Sequence, residues 1–167
     1  MFEKFSERTR QVVFLARFKA GQRGATEIGI EDFLVSLVIE DQGKFEEAVS
    51  GMWTDGTPVV QPEVLPQERF LPFETADELL ARLQALSAPS QPLPTSVEMP
   101  LSQASKNALS RADSLCAQMQ MTVIEPLHLL AAILESQKNK AAQIFGDAGI
   151  TSERIVKFLK EKQQIRS

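Results

Sequence analysis

The chain is poor in the residues that carry most metal and covalent chemistry. It holds one cysteine, Cys116, and one histidine, His128. A lone cysteine makes no internal disulfide, so nothing in the sequence calls for an oxidising compartment. One Cys and one His fall short of a zinc ligand set, and paired-histidine metal sites are excluded. No Gly-x-x-x-x-Gly-Lys-Ser/Thr phosphate loop is present. Gly43-Lys44 lacks both the upstream glycine and the following hydroxyl, which argues against nucleotide hydrolysis and leaves no cofactor to expect. Positive charge is also scarce, with 18 Lys and Arg against 22 Asp and Glu. That balance disfavours a nucleic-acid partner, and a helix-turn-helix reader would need a basic recognition helix that the chain does not have. No apolar run reaches the roughly 20 residues of a membrane span, and the charged start Met1 to Arg8 does not resemble a signal peptide. The expected address is cytoplasmic, with no membrane contact.

What the chain does have is a repeat. Ile28-Gly-Ile-Glu-Asp-Phe-Leu-Val-Ser-Leu-Val38 returns as Ile124-Glu-Pro-Leu-His-Leu-Leu-Ala-Ala-Ile-Leu134, 96 positions later. Phe33 answers Leu129, Leu34 answers Leu130, Leu37 answers Ile133 and Val38 answers Leu134. Apolar residues at i, i+1, i+4 and i+5 make one stripe of a helix, whereas a half-buried strand would alternate. The same offset runs without a gap from Phe5 to Glu40, pairing Ser6 with Ser102, Val13 with Leu109, Ala16 with Ala112 and Ala20 with Cys116. The two serines are suited to cap helices, and the small residues form a buried helical face. Gly21 and Gly24 supply a stop for the first helix, while Gln118 to Met121 offers none at the corresponding place. Lys44, Ala48 and Val49 continue the match with Lys140, Ile144 and Phe145 as a third short helix.

The copies then part. Thr151 leads into a final amphipathic helix with Ile155, Val156 and Leu159 inward. Its best counterpart is Thr75 to Leu83, where Thr75 and Glu78 form a capping-box pattern and Leu79, Leu80 and Leu83 point inward. The offset there is smaller by about 20 residues, which locates an insertion in the first copy over 53–74. Prolines 58, 62, 66 and 72 exclude a continuous helix from it and favour an extended path. Trp53, Phe70 and Phe73 in this insertion lie down on the helical body or form a contact surface for a partner. The expected fold is all-α: two pseudo-symmetric four-helix repeats packed as one domain over 1–167. Repeat one takes 1–87, a linker 88–100, and repeat two 101–163.

Cys116 and His128 are the only pair with which to build a nucleophile and base, the basis of a Cys-His hydrolase alternative. Against it, Cys116 stands where the first copy has Ala20 and reads as a core residue, and His128 stands where the first copy has Asp32 and reads as a helix-face residue. Paired carboxylates such as Glu46-Glu47 and Asp77-Glu78 sit on solvated helix faces, with nothing convergent to support acid–base work.

Phe5-Ser-Glu-Arg-Thr-Arg-Gln-Val-Val13, Ile28-Gly-Ile-Glu31 and Pro126-Leu-His-Leu-Leu130, set in a duplicated unit, resemble the N-terminal repeat (Clp N, Clp R) domain of Clp-type AAA+ unfoldases. The resemblance covers almost the whole chain except the insertion, and here without ATPase modules. It implies a non-catalytic module that binds client or adaptor proteins for a Clp-type chaperone or protease system. A rival within the same class is an accessory subunit docking on a Clp protease core. The resemblance also implies a peptide- or adaptor-binding role for the acidic second-helix position, here Glu31 with neighbouring Asp32. Some members use that position to recognise cationic or phosphorylated-arginine groups. In the second copy Leu127 replaces the acid, and Asp32 stands where the family commonly has histidine. Apart from the resemblance, Glu31 and Asp32 suit the positive end of a helix dipole.

Overall fold

The two predicted serine caps are formed in the same way. In the computed structural model, which describes residues 2–49, 69–86, 99–135 and 139–166, Ser6 Oγ accepts from Thr9 N at 3.1 Å and opens α1, Glu7–Gln22. Ser102 Oγ accepts from Ser105 N at 3.1 Å and opens α5, Gln103–Gln118. The other helices are α2 (Ile30–Asp41), α3 (Phe45–Val49), α4 (Phe73–Gln84), α6 (Pro126–Leu134), α7 (Lys140–Asp147) and α8 (Ser152–Arg166). No strand occurs among the described residues, which agrees with the all-α expectation; two isolated parallel bridges are the only extended pairings there.

Those bridges join the repeats. Phe5 pairs with Ile124, with Ile124 N donating to Lys4 O at 2.7 Å and Ser6 N to Ile124 O at 3.1 Å. Leu101 pairs with Ile28, with Ile28 N donating to Pro100 O at 2.9 Å and Ser102 N to Ile28 O at 3.0 Å. The second set is the first moved on by the offset. Each repeat therefore lays its entry segment on the loop before the central helix of the other. Thr9 Oγ1 bonds Ile124 O at 2.7 Å, and Ser105 Oγ bonds Ile28 O at 2.9 Å, so each bridged carbonyl is held twice.

The central helices α2 and α6 are apolar nearly all round and are correspondingly buried, with Glu31 the one half-exposed residue of α2. α2 packs against α1 and α4, α6 against α5 and α8, and α2 and α6 also touch each other. Phe33, Leu34, Leu37 and Val38 are core residues, as are Leu129, Leu130, Ile133 and Leu134. On α1 the inward face is centred on Val12, Leu15 and Ala16, with Val13 only half-buried, one position away from the expected stripe.

Two boundaries differ from expectation. α5 stops in register with α1 without a glycine: Gln120 takes φ 59°, matching Gly24 at 73°, and Met121 N donates to Cys116 O just as Ala25 N donates to Ala20 O. The packing of the following loop fixes that stop, and Gln120 bears the left-handed strain. α4 begins at Phe73 with Pro72 at the cap position (φ −60°, ψ 150°), so Thr75 lies inside its first turn and the Thr75–Glu78 capping box does not form. The chain arrives already fixed, because the Asp41 carboxylate accepts from Phe70 N at 2.8 Å and Leu71 N at 3.0 Å. Helix geometry then starts directly after the proline. By contrast, Thr151 Oγ1 does accept from Arg154 N, at 3.3 Å, ahead of α8.

Leu130 is 3 % exposed. Leu130→Ala is expected to cost about 2–5 kcal/mol in a urea melt, through lost burial and the cavity left behind. Gln120→Gly should act oppositely, raising stability by roughly 0.5–1 kcal/mol as the left-handed strain is relieved, whereas a neutral result would place the strain elsewhere.

Candidate binding groove and helix-start clusters

The starts of α2 and α6 carry one device built from different residues. Asp32 Oδ2 accepts from Gly29 N at 2.9 Å, and His128 Nδ1 accepts from Glu125 N at 2.9 Å. In each case the third helical residue reaches back to the residue before the helix. In repeat one the acid is balanced: Arg23 donates Nε to Asp32 Oδ1 at 2.7 Å, and Nη2 to Asp32 Oδ2 at 2.8 Å and Glu31 Oε1 at 2.6 Å. The bond to Asp32, only partly opposed by burial, holds the Arg23 pKa above its ordinary value. In repeat two Met119 takes the place of Arg23 and Leu127 that of Glu31. A carboxylate at 128 would be buried there with no counter-charge, at a cost of several kcal/mol by the order of such penalties. A neutral imidazole offers the same acceptor without the charge.

These clusters locate the acidic positions proposed from sequence. Asp32 is 2 % exposed and its carboxylate is committed to Gly29 N and Arg23. Glu31 remains half-exposed, bound to the same guanidinium. Of the aromatics, Phe70 is half-buried and packs edge-on against Phe158 of α8, ring centres 5.1 Å apart. Phe73 is 59 % exposed on the first turn of α4, with Lys44 Nζ 5.2 Å from its ring centre. The two are thus not one surface, and Trp53 lies outside the described residues. Cys116 Sγ donates to Met121 O at 3.2 Å, and burial raises its thiol pKa. The thiol and the imidazole each bond elsewhere and not to one another. Among the described residues no group of three or more His, Cys, Asp or Glu side chains gathers to hold a metal.

The site that the sequence did not announce lies between the repeats. A cavity of about 280 Å³ is walled by Leu37 and Val38 of α2, Leu71, Met121, Pro126, Leu127 and Leu130, and Leu159 of α8. Into this apolar surface project Arg8, Glu40, Asp41 and Glu125, with Lys162 and Gln163 at the α8 side. Arg8 grips Glu40 through two nitrogens, Nη2 standing 3.1 Å from Oε2. Burial raises the pKa of Glu40, with the Arg8 bond a partial offset. Burial likewise raises that of Asp41, against the lowering by Phe70 N and Leu71 N. A sequence signal was available: the apolar run of α2 ends in two buried acids, and Arg8 answers Ala104, so the repeat symmetry breaks here.

His128 is 0 % exposed, and because Nδ1 is an acceptor its proton sits on Nε2, which finds no partner among the described residues. Burial lowers its pKa from 6.5 to about 4. The folded state thus binds its proton less readily than the unfolded chain. The resulting stability is full above pH 6.5 and is lost as pH falls towards 4, by up to roughly 3 kcal/mol. His128→Asn keeps an acceptor for Glu125 N without the titration. Urea melts between pH 7 and 4.5 should therefore fall less steeply for the variant than for the wild type, and parallel slopes would rule out this linkage.

Comparison with known proteins gives the same architecture. No curated protein sequence matches the chain. Among solved structures, the N-terminal domain of the caseinolytic protease-associated chaperone ClpD from Arabidopsis thaliana is 16% identical at TM-score 0.61, over 93% of this chain and 94% of its own. A structure described as belonging to a malarial protein secretion system is 18% identical at TM-score 0.69, over 95% and 94%. The Hsp104 N-terminal domain from Candida albicans is 17% identical at TM-score 0.60, over 92% and 87%. At such identities the likeness speaks to the fold. The family described as the Clp repeat (R) N-terminal domain matches residues 74–164, more than half of the sequence, from α4 through the whole second repeat. The chain belongs to the Clp repeat (R) N-terminal domain family.

Proposed function

We propose that the domain binds apolar segments of client or adaptor proteins in the groove between its repeats, on behalf of a Clp-type chaperone, and performs no chemistry of its own. The observation that carries this reading is the cavity itself: apolar walls from both repeats with a few fixed charges, the composition of a recognition site. The two residues that would have to make a catalytic pair, Cys116 and His128, are each bonded elsewhere in the fold. Glu31, half-exposed at the start of α2, and the exposed Phe73 are secondary contact points in this proposal, away from the groove lining.

Leu127 is half-buried and lines the groove, so a charge can be placed there with little damage to the core. With a permanently unfolded, reduced and alkylated protein as fluorescent probe, Leu127→Asp should weaken binding at least 5-fold, while Phe73→Ala and Glu31→Gln have smaller effects. Wild-type affinity in Leu127→Asp with a large loss in Phe73→Ala would move the site to the insertion side. A probe bound by none of these proteins would leave the groove without a role.

A further inference from the structure

The charges in the groove are unevenly matched. Its lining holds three carboxylates, Glu40, Asp41 and Glu125, against two cations, Arg8 and Lys162. Arg8 is bound to Glu40 through two nitrogens. Asp41 is satisfied by the amides of Phe70 and Leu71 and by Gln42 Nε2 at 2.9 Å. Lys162 Nζ stands 4.8 Å over the ring of Phe158. Glu125 is left half-buried beside Pro126 and Leu127 and forms no ion pair among the described residues. A carboxylate next to an apolar hollow favours an incoming ammonium bearing an apolar group and repels an anion, more strongly than it would in open water.

The size of the hollow narrows the source of that ammonium. At about 280 Å³ it lies just below the range of ordinary small-ligand pockets, room for one large side chain and its backbone rather than a run of extended chain. The α-amino group and the side chain of a first residue leave the same carbon, so both reach their places only a few ångströms apart. The ammonium of a lysine sits at the far end of its own apolar stem, so it would place the stem and not a separate large side chain in the hollow. Resting on the groove reading above, we propose that this site receives the free N-terminus of a polypeptide whose first residue is bulky and apolar, with Glu125 accepting from the α-ammonium.

The related depression on the other side of the molecule supplies an internal contrast. It is lined by Ile30, Ala104 and Ile133, the offset partners of Pro126, Arg8 and Leu37, but Glu125 is answered by Gly29, and the local acid, Glu135, is held by Arg111 at 2.7 and 3.0 Å. One terminus per chain is therefore expected.

Fluorescence anisotropy and calorimetry on the full chain test this with three C-terminally labelled peptides of about ten residues. One starts with a free-amine phenylalanine, one is its N-acetylated form, and one is acetylated with an internal lysine beside the phenylalanine. The free-amine peptide should bind with a stoichiometry of one and at least 10-fold tighter than the acetylated one. That ratio should collapse in Glu125→Gln and be partly kept in Glu125→Asp, both variants being checked for unchanged thermal melts. Should Glu125→Gln prove unfolded, Glu125→Asp and the salt dependence of the wild-type ratio carry the test, since an ion pair weakens as salt rises. Equal binding of free and acetylated peptides, both weakened by Leu127→Asp, overturns the terminal preference while the groove reading stands. An acetylated lysine peptide as tight as the free-amine one reassigns the ammonium to a side chain and overturns the proposal. Binding of none of the three, with the unfolded-protein probe still held, overturns it alone; loss of that probe too removes the groove reading with it.

Discussion

The fold depends on a mutual exchange at two carbonyls, Ile28 O and Ile124 O. Each accepts a backbone amide and a buried hydroxyl from the other repeat, at 2.7 to 3.1 Å. These bonds fix the angle between α1 and α6 and between α5 and α2, and with it the contact of α2 with α6. A buried carbonyl left without a donor costs on the order of 1–3 kcal/mol, so both entry segments have a strong reason to stay where they are. Ser6, Thr9, Ser102 and Ser105 thus do more than begin helices: two cap them and two reach across to the other repeat.

On that symmetric frame function arises where symmetry fails. Arg8 against Ala104, Glu125 against Gly29, and the buried acids at the end of α2 equip one inter-repeat hollow with charge and leave its counterpart with a self-contained ion pair. The same logic explains the helix starts. Arg23, Glu31 and Asp32 form a closed ionic set, while Met119, Leu127 and His128 form an almost uncharged one. The two sets are alternative solutions to one requirement, a hydrogen-bond acceptor at the third helical position. Mixing them would bury a lone charge.

Much of the fold could be read from the sequence because backbone-level constraints recur at a fixed spacing. Ser6 with Ser102 and Leu34 with Leu130 keep the same jobs, and the apolar stripes of α2 and α6 suffice to identify them as central helices. Terminal details were harder. The stop at Gln120 is set by the loop that follows it and not by a local helix breaker, and the start of α4 is set by Asp41, about thirty residues earlier in the chain. The groove was not legible, because its walls come from α1, α2, α6 and α8 and its charged residues look like ordinary surface polarity in a linear reading. Asp32 looked available for the opposite reason, since its partner Arg23 sits on another helix. Phe70 and Phe73, close in sequence, part ways because Pro72 turns one towards α8 and the other outward.

The reciprocal bridges also bear on assembly. Every contact that joins repeat one to repeat two within a chain is available, in identical form, between repeat one of one molecule and repeat two of another. Two molecules that trade halves would rebuild both bridges and the groove at each end, with no new interface to invent. Concentration and the stretch between the halves, rather than any change in the contacts, then decide whether this architecture closes on itself or on a neighbour.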